Sequence, residues 1–357
     1  MQNLLLAYAT PVFFLLIFVE VWWARRRDHD VFEFSDSLTS IGCGMFTVTV
    51  AFFAKAAWLG LYLWVEVHFG IWTWEVDSWV TWLVFFLLLD FVYYWAHRWS
   101  HEINFLWAGH VPHHQSEQYN LTTALRQGAW QDISHWPLFL LLALAGCPAA
   151  VFIVLLTVSK LYQFWIHTRL VGKLPLIEGI LNTPSAHRVH HGINEQYIDR
   201  NHGGTLMIWD RMFGTWVEEQ EPVVFGVRKP FRTRNPITAH VDWLANMWRD
   251  ASLSDRWQDR FTIWFRPTGW RPDGEQRRSP RAPFSLPAFR AWVPQWTPAD
   301  RRRALIWFVL AVVFNSAMML GYDYLHWGWQ VSLALMVTLC LWRMARTFSS
   351  TEVPDES

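Results

Sequence analysis

An all-α, polytopic membrane bundle with a histidine-rich cap on one face is the fold class that this sequence predicts. Three observations lead there. Apolar runs approach or exceed the roughly 18 residues that a membrane span needs, Trp and Tyr gather at the edges of those runs, and histidines crowd into two short polar stretches beside them. With 52% hydrophobic residues, 27 Trp and 26 Phe among 357 residues and a mean hydropathy of +0.10, the chain is too apolar for an ordinary soluble domain of its size.

The first run, residues 4–23, has no basic leader before it and no small-residue cleavage pattern after it. It leads straight into Arg25, Arg26 and Arg27, which predicts an uncleaved span with a basic inner flank rather than a signal peptide. Further apolar runs cover 38–64, 79–95, 137–166, 304–321 and 327–342, with the aromatic edges expected at a water interface. Connector 66–78 carries Glu66, Glu75 and Asp77 but no Lys or Arg, and connector 322–326 has none either, so both are expected outside. Segments 24–36, 97–136 and 168–303 hold nearly all the Lys and Arg and are expected to share the cytoplasmic face. A single span over 137–166 would break that arrangement. A hairpin preserves it, with "AGCP" at 145–148 as the turn, because Gly ends helices and Pro cannot continue one. Its first arm is short unless it begins upstream near Ala124.

The chain thus divides into N-terminal spans (1–78), a histidine-bearing catalytic domain with the hairpin (79–222), a Pro-, Arg- and Trp-rich segment (223–303), C-terminal spans (304–345) and a polar tail (346–357). Part of 222–300 reads as an irregular surface or interfacial stretch, and the tail as disordered. Net charge is zero, and no basic stripe with interleaved aromatics appears, so no nucleic-acid partner is expected. Cys43, Cys147 and Cys340 lie far apart in apolar runs and form no CxxC pair; they read as small buried hydrophobes.

The chemistry lies in "HRWSHEINFLWAGHVPHH" at 97–114 and in a second cluster at 187–191, with His167 between them. Residues four apart share a helix face, so His97 and His101 can aim at one metal. In His110-xx-His113-His114 and His187-xx-His190-His191, two nitrogens face one way while the remaining histidine can turn to a second metal. One histidine alone reads as a satisfied polar group; nine on one face exceed what one zinc takes. Two metals, each with four or five nitrogens, use the whole set. Imidazole suits iron, copper, nickel and zinc, so ligand type does not select iron. The count, the bilayer location and the lack of other equipment argue for it: no GxSxG occurs, "HEINF" has Phe105 where HExxH needs histidine, and no GxGxxG follows a strand. Asp90, two helical turns before His97, and Asp132, Asp199 and Asp210 are candidates for orienting imidazoles. Asn120 is a candidate for holding a metal-bound water or for capping a helix, and Arg126 for pairing with an acid or a lipid head group. His135 reads as an interface histidine, and Lys55 carries no assigned chemistry.

"DFVYYWAHRWSHEINFLWAGHVPHH" and "LNTPSAHRVHHGINEQYIDRNHGGTLMIWDRMFGTW" resemble the fatty acid hydroxylase and sterol desaturase superfamily of integral membrane di-iron enzymes. With "SEQYNLTTALRQ", "LYQFWIHT" and Gly269-Trp270, they are similar to its alkylglycerol monooxygenase branch over about residues 80–270. The resemblance implies that His97, His101, His110, His113, His114, His187, His190 and His191 are metal ligands, with His167 as the ninth. Ala186 stands where relatives can carry another histidine. It also marks Glu102 as functional. The implied activity is O2-dependent hydroxylation of an alkyl C–H bond by two iron ions, with a membrane lipid as substrate and cleavage of an ether lipid as the outcome. Electrons would come from a separate donor; the branch uses tetrahydrobiopterin, although no sequence motif shows a pterin site and no HPGG marks a fused haem domain. A sterol desaturase, a fatty acyl or ornithine-lipid hydroxylase, a zinc membrane hydrolase and a metal transporter are the alternatives.

Overall fold

The computed structural model describes residues 2–229, 231–272, 284–322 and 324–349, with the side chains of 2–10, 132 and 349 outside that description. The structured elements are α1 (Gln2–Arg26), α2 (Phe34–Phe69), α3 (Trp79–Glu102), α4 (Asn104–His114), α5 (Leu121–Ala124), α6 (Gln131–Leu144), α7 (Ala149–Trp165), α8 (Pro184–His190), α9 (Ile208–Phe213), α10 (Pro236–Ser252), α11 (Trp257–Thr262), α12 (Pro298–Leu320) and α13 (Trp327–Ser349). Among the described residues no strand forms; only isolated bridges such as Leu181 with Leu206 occur. Among the described residues four helices, α2, α3, α12 and α13, are long and apolar enough to cross a membrane. Their outward faces keep large apolar side chains such as Trp64, Leu83, Val309 and Leu335 exposed, as lipid-facing surfaces do. The chain is therefore a polytopic membrane protein.

Two apolar cores hold the bundle. Tyr62, Phe85, Leu89, Phe139, Leu142 and Phe152 join α2, α3, α6 and α7, and the Tyr62 and Phe152 rings stack at 4.4 Å. Leu38, Met45, Ala304, Ala311, Leu341 and Met344 join α2 to the α12–α13 pair. Between membrane-spanning helices, where lipid tails are as apolar as these side chains, such cores hold by close van der Waals packing rather than by exclusion of water.

The hairpin over 137–166 forms, and the end of α2 together with connector 66–78 pins its turn. Tyr62 Oη donates to the Cys147 carbonyl (3.1 Å), Trp74 Nε1 to the Ala145 carbonyl (3.1 Å), and the Ala149 amide at the start of α7 to the Glu66 carboxylate (3.1 Å). Gly146 sits at φ +78, and a Cβ there would lie 1.8 Å from the Trp72 carbonyl oxygen. The turn needs glycine both for its left-handed backbone and for that close approach. The first arm starts at Gln131 and not near Ala124. Leu121–Ala124 is a separate turn of helix, and Gly128 follows it pressed against α4, where a Cβ would lie 1.7 Å from the Gly109 carbonyl oxygen. With 14 residues, α6 is about 21 Å long, short of the ~30 Å apolar thickness of a bilayer.

Segment 222–300 is more ordered than its composition suggests. Pro at the first helical position and Asn235 as cap, accepting from the Ile237 and Thr238 amides, start the amphipathic helix α10, and α11 follows. Much of "RPTGWRPDGEQRRSPRAP", and the tail from 350 onward, lie outside the described residues. Cys43, Cys147 and Cys340 are free and buried.

Candidate metal centre

From Trp79 at its start, α3 carries the chain about 27 Å along its axis to His97. The histidines therefore gather at the end of the bundle opposite the pinned turn. Ile103 breaks the helix between Glu102 and Asn104, and α4 folds back with His110, His113 and His114. His167 follows the end of α7, while α8, capped by Thr183 Oγ1 on the Ala186 amide, presents His187 and His190 and ends at His191.

The nine rings sort into two groups. His97, His101, His110, His114 and His190 bring one ring nitrogen each within 4.8 Å of one another, and His113, His167, His187 and His191 do the same. Helix periodicity makes this division: His110 and His114, four apart, point one way and His113 the other, and on α8 His187 and His191 pair while His190 crosses over. The groups abut, with His114 and His191 stacked at 4.3 Å. All nine rings are buried.

Carbonyls on the outside fix which nitrogen faces inward. His97 Nδ1 donates to the His202 carbonyl (2.8 Å), His113 Nδ1 to the Arg126 carbonyl (2.9 Å), His167 Nδ1 to the Gln163 carbonyl (2.7 Å) and His190 Nδ1 to the Arg200 carbonyl (3.1 Å). His110 Nδ1 donates to Gln131 Oε1 (3.0 Å). A carbonyl can only accept, so each of these rings carries its proton on Nδ1 and turns an Nε2 lone pair inward. Those lone pairs meet: His97 Nε2 is 3.0 Å from His110 Nε2, and His113 Nε2 is 3.2 Å from His167 Nε2. The Nε2 atoms of His101, His190 and His191 are buried without a hydrogen-bond partner. Burial pushes His110 and His167 down to about 4 and holds His113, His114, His187, His190 and His191 well below the usual imidazole value. Buried, neutral, converging imidazoles, several with their Nε2 lone pairs free, fit transition-metal ions.

The carboxylates stand elsewhere than beside the imidazoles. Asp90 accepts from the Thr205 amide (2.9 Å), the Leu206 amide (3.1 Å) and Trp209 Nε1 (3.0 Å), so it anchors the loop after the second cluster and touches no imidazole. Asp210 accepts from the His202 amide (2.7 Å), the Gly203 amide (2.7 Å) and Thr215 Oγ1 (2.6 Å), and burial pushes its carboxyl up to about 6. It fixes the very peptide whose carbonyl holds His97, and so acts through the backbone. Asp199 alone lies near a ring, with an oxygen 3.8 Å from His101 Nδ1. The Asp132 side chain is outside the described residues.

Glu102 turns to Arg98 (2.9 Å) at the half-exposed edge of α3 and does not reach the histidines. Asn120 is consumed by capping: its Oδ1 accepts from the Thr122 amide (3.0 Å) and hydroxyl (2.6 Å), and its Nδ2 donates to the Val31 carbonyl (2.6 Å). Arg126 is buried, donates to the Pro112 carbonyl (2.7 Å) and Gln115 Oε1 (3.2 Å), and meets neither an acid nor solvent. His135 is likewise buried, with Nε2 2.8 Å from Ser100 Oγ, and is no interface residue.

Sequence reasoning missed two residues at the centre. Gln131 is a lone amide whose partner, His110, lies 21 positions away. His202 sits in a non-helical loop with no ligand spacing, yet is fully buried with its ring centroid 5.1 Å from that of His101. Its amide and carbonyl are both committed, to Asp210 and His97.

The fatty acid hydroxylase family model matches residues 82–215, the stretch that contains all nine grouped histidines. The chain is 40% identical over 267 residues to an alkylglycerol monooxygenase of Homo sapiens, covering 74% of this chain and 59% of that protein. To an alkylglycerol monooxygenase of Danio rerio it is 38% identical over 319 residues, covering 87% of this chain and 70% of the relative. An ornithine lipid hydroxylase of Rhizobium tropici is 28% identical over 144 residues, 38% of this chain and 41% of that protein. The chain thus spans 59% of the length of the human relative. No solved structure matches. By its matched domain and its likeness to these relatives, the chain belongs to the fatty acid hydroxylase family and stands within it beside the alkylglycerol monooxygenases.

Proposed function

We propose that the chain is an O2-dependent, di-iron lipid monooxygenase that attacks the alkyl carbon next to the ether oxygen of an alkylglycerol. One observation carries the reading: nine buried imidazoles bring ring nitrogens together at two adjacent points in groups of five and four, and five of them, tied at Nδ1 to an oxygen acceptor, turn an unprotonated Nε2 inward. That is a donor set for two metal ions with room left for a further ligand. The five-nitrogen site would be formed by His97, His101, His110, His114 and His190, and the four-nitrogen site by His113, His167, His187 and His191. When bound, the two irons would supply O2 activation and the oxidising power to break an alkyl C–H bond.

The chain's own contribution is positioning. The carbonyls of Arg126, Gln163, Arg200 and His202 and the amide of Gln131 keep five rings from rotating. Burial of the cap excludes bulk water from chemistry that water would divert. The surrounding bilayer delivers an alkyl chain with its polar head at the interface, and the clustering of Lys and Arg in the same segments supports a cytoplasmic side for it. In the overall reaction the lipid, O2, two electrons and two protons give the hydroxylated lipid and water; the hemiacetal so formed releases an aldehyde and a glycerol. The electrons come from a separate donor, of which tetrahydrobiopterin is the one the sequence resemblance supports.

The test is alkylglycerol consumption in membranes containing the chain, with and without O2, for the unaltered protein and for His190→Ala and His113→Ala, one variant from each group. The reading expects strict O2 dependence and loss of turnover in both variants. Turnover that persists without O2 would point instead to hydrolysis and overturn it.

A further inference from the structure

Resting on the di-iron reading, we propose that His202 is a tenth imidazole of the metal centre, a sixth nitrogen donor to the site formed by His97, His101, His110, His114 and His190. Its ring lies beside three of theirs, at the edge of the five-nitrogen group: centroid separations are 5.8 Å to His97, 5.1 Å to His101 and 5.7 Å to His190. Members of the five-ring group are separated from one another by similar distances, from 4.4 Å for His97 and His190 to 6.3 Å for His110 and His190. His202 is fully buried, and neither ring nitrogen makes a well-formed hydrogen bond, although the Asp199 backbone lies beside the ring as an acceptor. An unsatisfied buried polar group costs about 1–3 kcal/mol, which a coordinated metal would offset.

The backbone explains why the ring stays. Asp199 and Asn201 flank Arg200 at φ +54 and φ +56, a left-handed conformation that side chains other than glycine seldom adopt. Asn201 locks this loop with both ends of its side chain, donating to the Ala186 (3.0 Å) and Val217 (2.7 Å) carbonyls and accepting from the Val217 amide (2.8 Å). The next residue is His202, held by Asp210 at its amide and by His97 at its carbonyl. Six nitrogens would close the first site and leave the four-histidine site as the one with open positions.

The experiment uses the full chain in detergent micelles, reconstituted anaerobically with 57Fe(II), and compares it with His202→Phe, which keeps a ring of similar size. Readouts are the Mössbauer spectrum and the chelator concentration that removes each iron, neither of which requires turnover. We expect the doublet of one iron to change and that iron to be released at about tenfold lower chelator, with the other iron unaffected. Unchanged spectra and release in a folded His202→Phe overturn the inference while leaving the di-iron reading intact. If His202→Phe does not fold, His202→Ala with added imidazole decides: restoration of the altered doublet supports a ligand role, and insensitivity to imidazole overturns it. Unaltered protein that takes up no iron overturns both readings.

Discussion

His97 Nε2 and His110 Nε2 stand 3.0 Å apart, while the opposite nitrogen of each ring is already spent on an oxygen acceptor, the His202 carbonyl for one and Gln131 for the other. Two lone pairs therefore face each other in a buried site, an arrangement that repels unless a cation lies between. Burial, which disfavours the charged form of the rings, should make the metal-free protein acid-labile. The folded-state values of His110 and His167, about 4, lie below the free imidazole value of 6.5, so the unfolded chain binds protons more readily. Stability is whole above pH 6.5 and is lost as pH falls from 6.5 toward 4. Each of the two groups should remove about 3 kcal/mol by pH 4. Thermal melting of chelator-treated protein across that range checks this; a melting temperature that does not fall would contradict it.

Asp210 sets the position of the His202 peptide, and His97 depends on that peptide's carbonyl. Asp210→Asn replaces one acceptor oxygen with a donor facing a backbone N–H. Metal affinity should drop about 10- to 100-fold, measured by chelator competition, although residue 210 touches no histidine ring. Unaltered affinity in the folded variant would remove Asp210 from the support of the centre.

Asn120 caps α5 and reaches the Val31 carbonyl. Asn120→Ala should destabilise the protein by about 1–3 kcal/mol and leave turnover per iron-loaded molecule unchanged. A loss of turnover at full iron content, with stability intact, would restore a water-holding role for this residue.

Glu102 pairs with Arg98 on a half-exposed surface, an interaction worth about 0.3–0.5 kcal/mol on a helix. Glu102→Gln should retain iron and melt within a degree or two of the unaltered protein. Iron loss in this variant would show that the carboxylate reaches the centre in the metal-loaded state.

Four of the spans, the hairpin and the eight clustered histidines were legible in the sequence because each depends on a short-range rule, whereas the lone His167 came only from the family resemblance. Apolar length marks the spans, Gly146 and Pro148 mark the turn, and four-residue spacing sorts His110 and His114 from His113. What surrounds the rings was not legible, because it depends on long-range contacts with no sequence period. Asp90 looked aligned with His97 from two turns away, yet in the fold it is drawn to the 205–209 segment. Arg126 and His135 looked like surface groups and are buried, because α4, α5 and α6 close over them. Gln131 and His202 carried no spacing that would have separated them from ordinary polar residues, and only the packed cap brings them to the rings.

The most direct test of the central claim is anaerobic loading with ferrous iron, followed by one exposure to 18O2 with an alkylglycerol and a reduced donor, the aldehyde being trapped at once by reduction to its alcohol. The account predicts two irons per chain and one 18O atom in the trapped alcohol. Product formed at the same rate without O2, or without 18O, would contradict it.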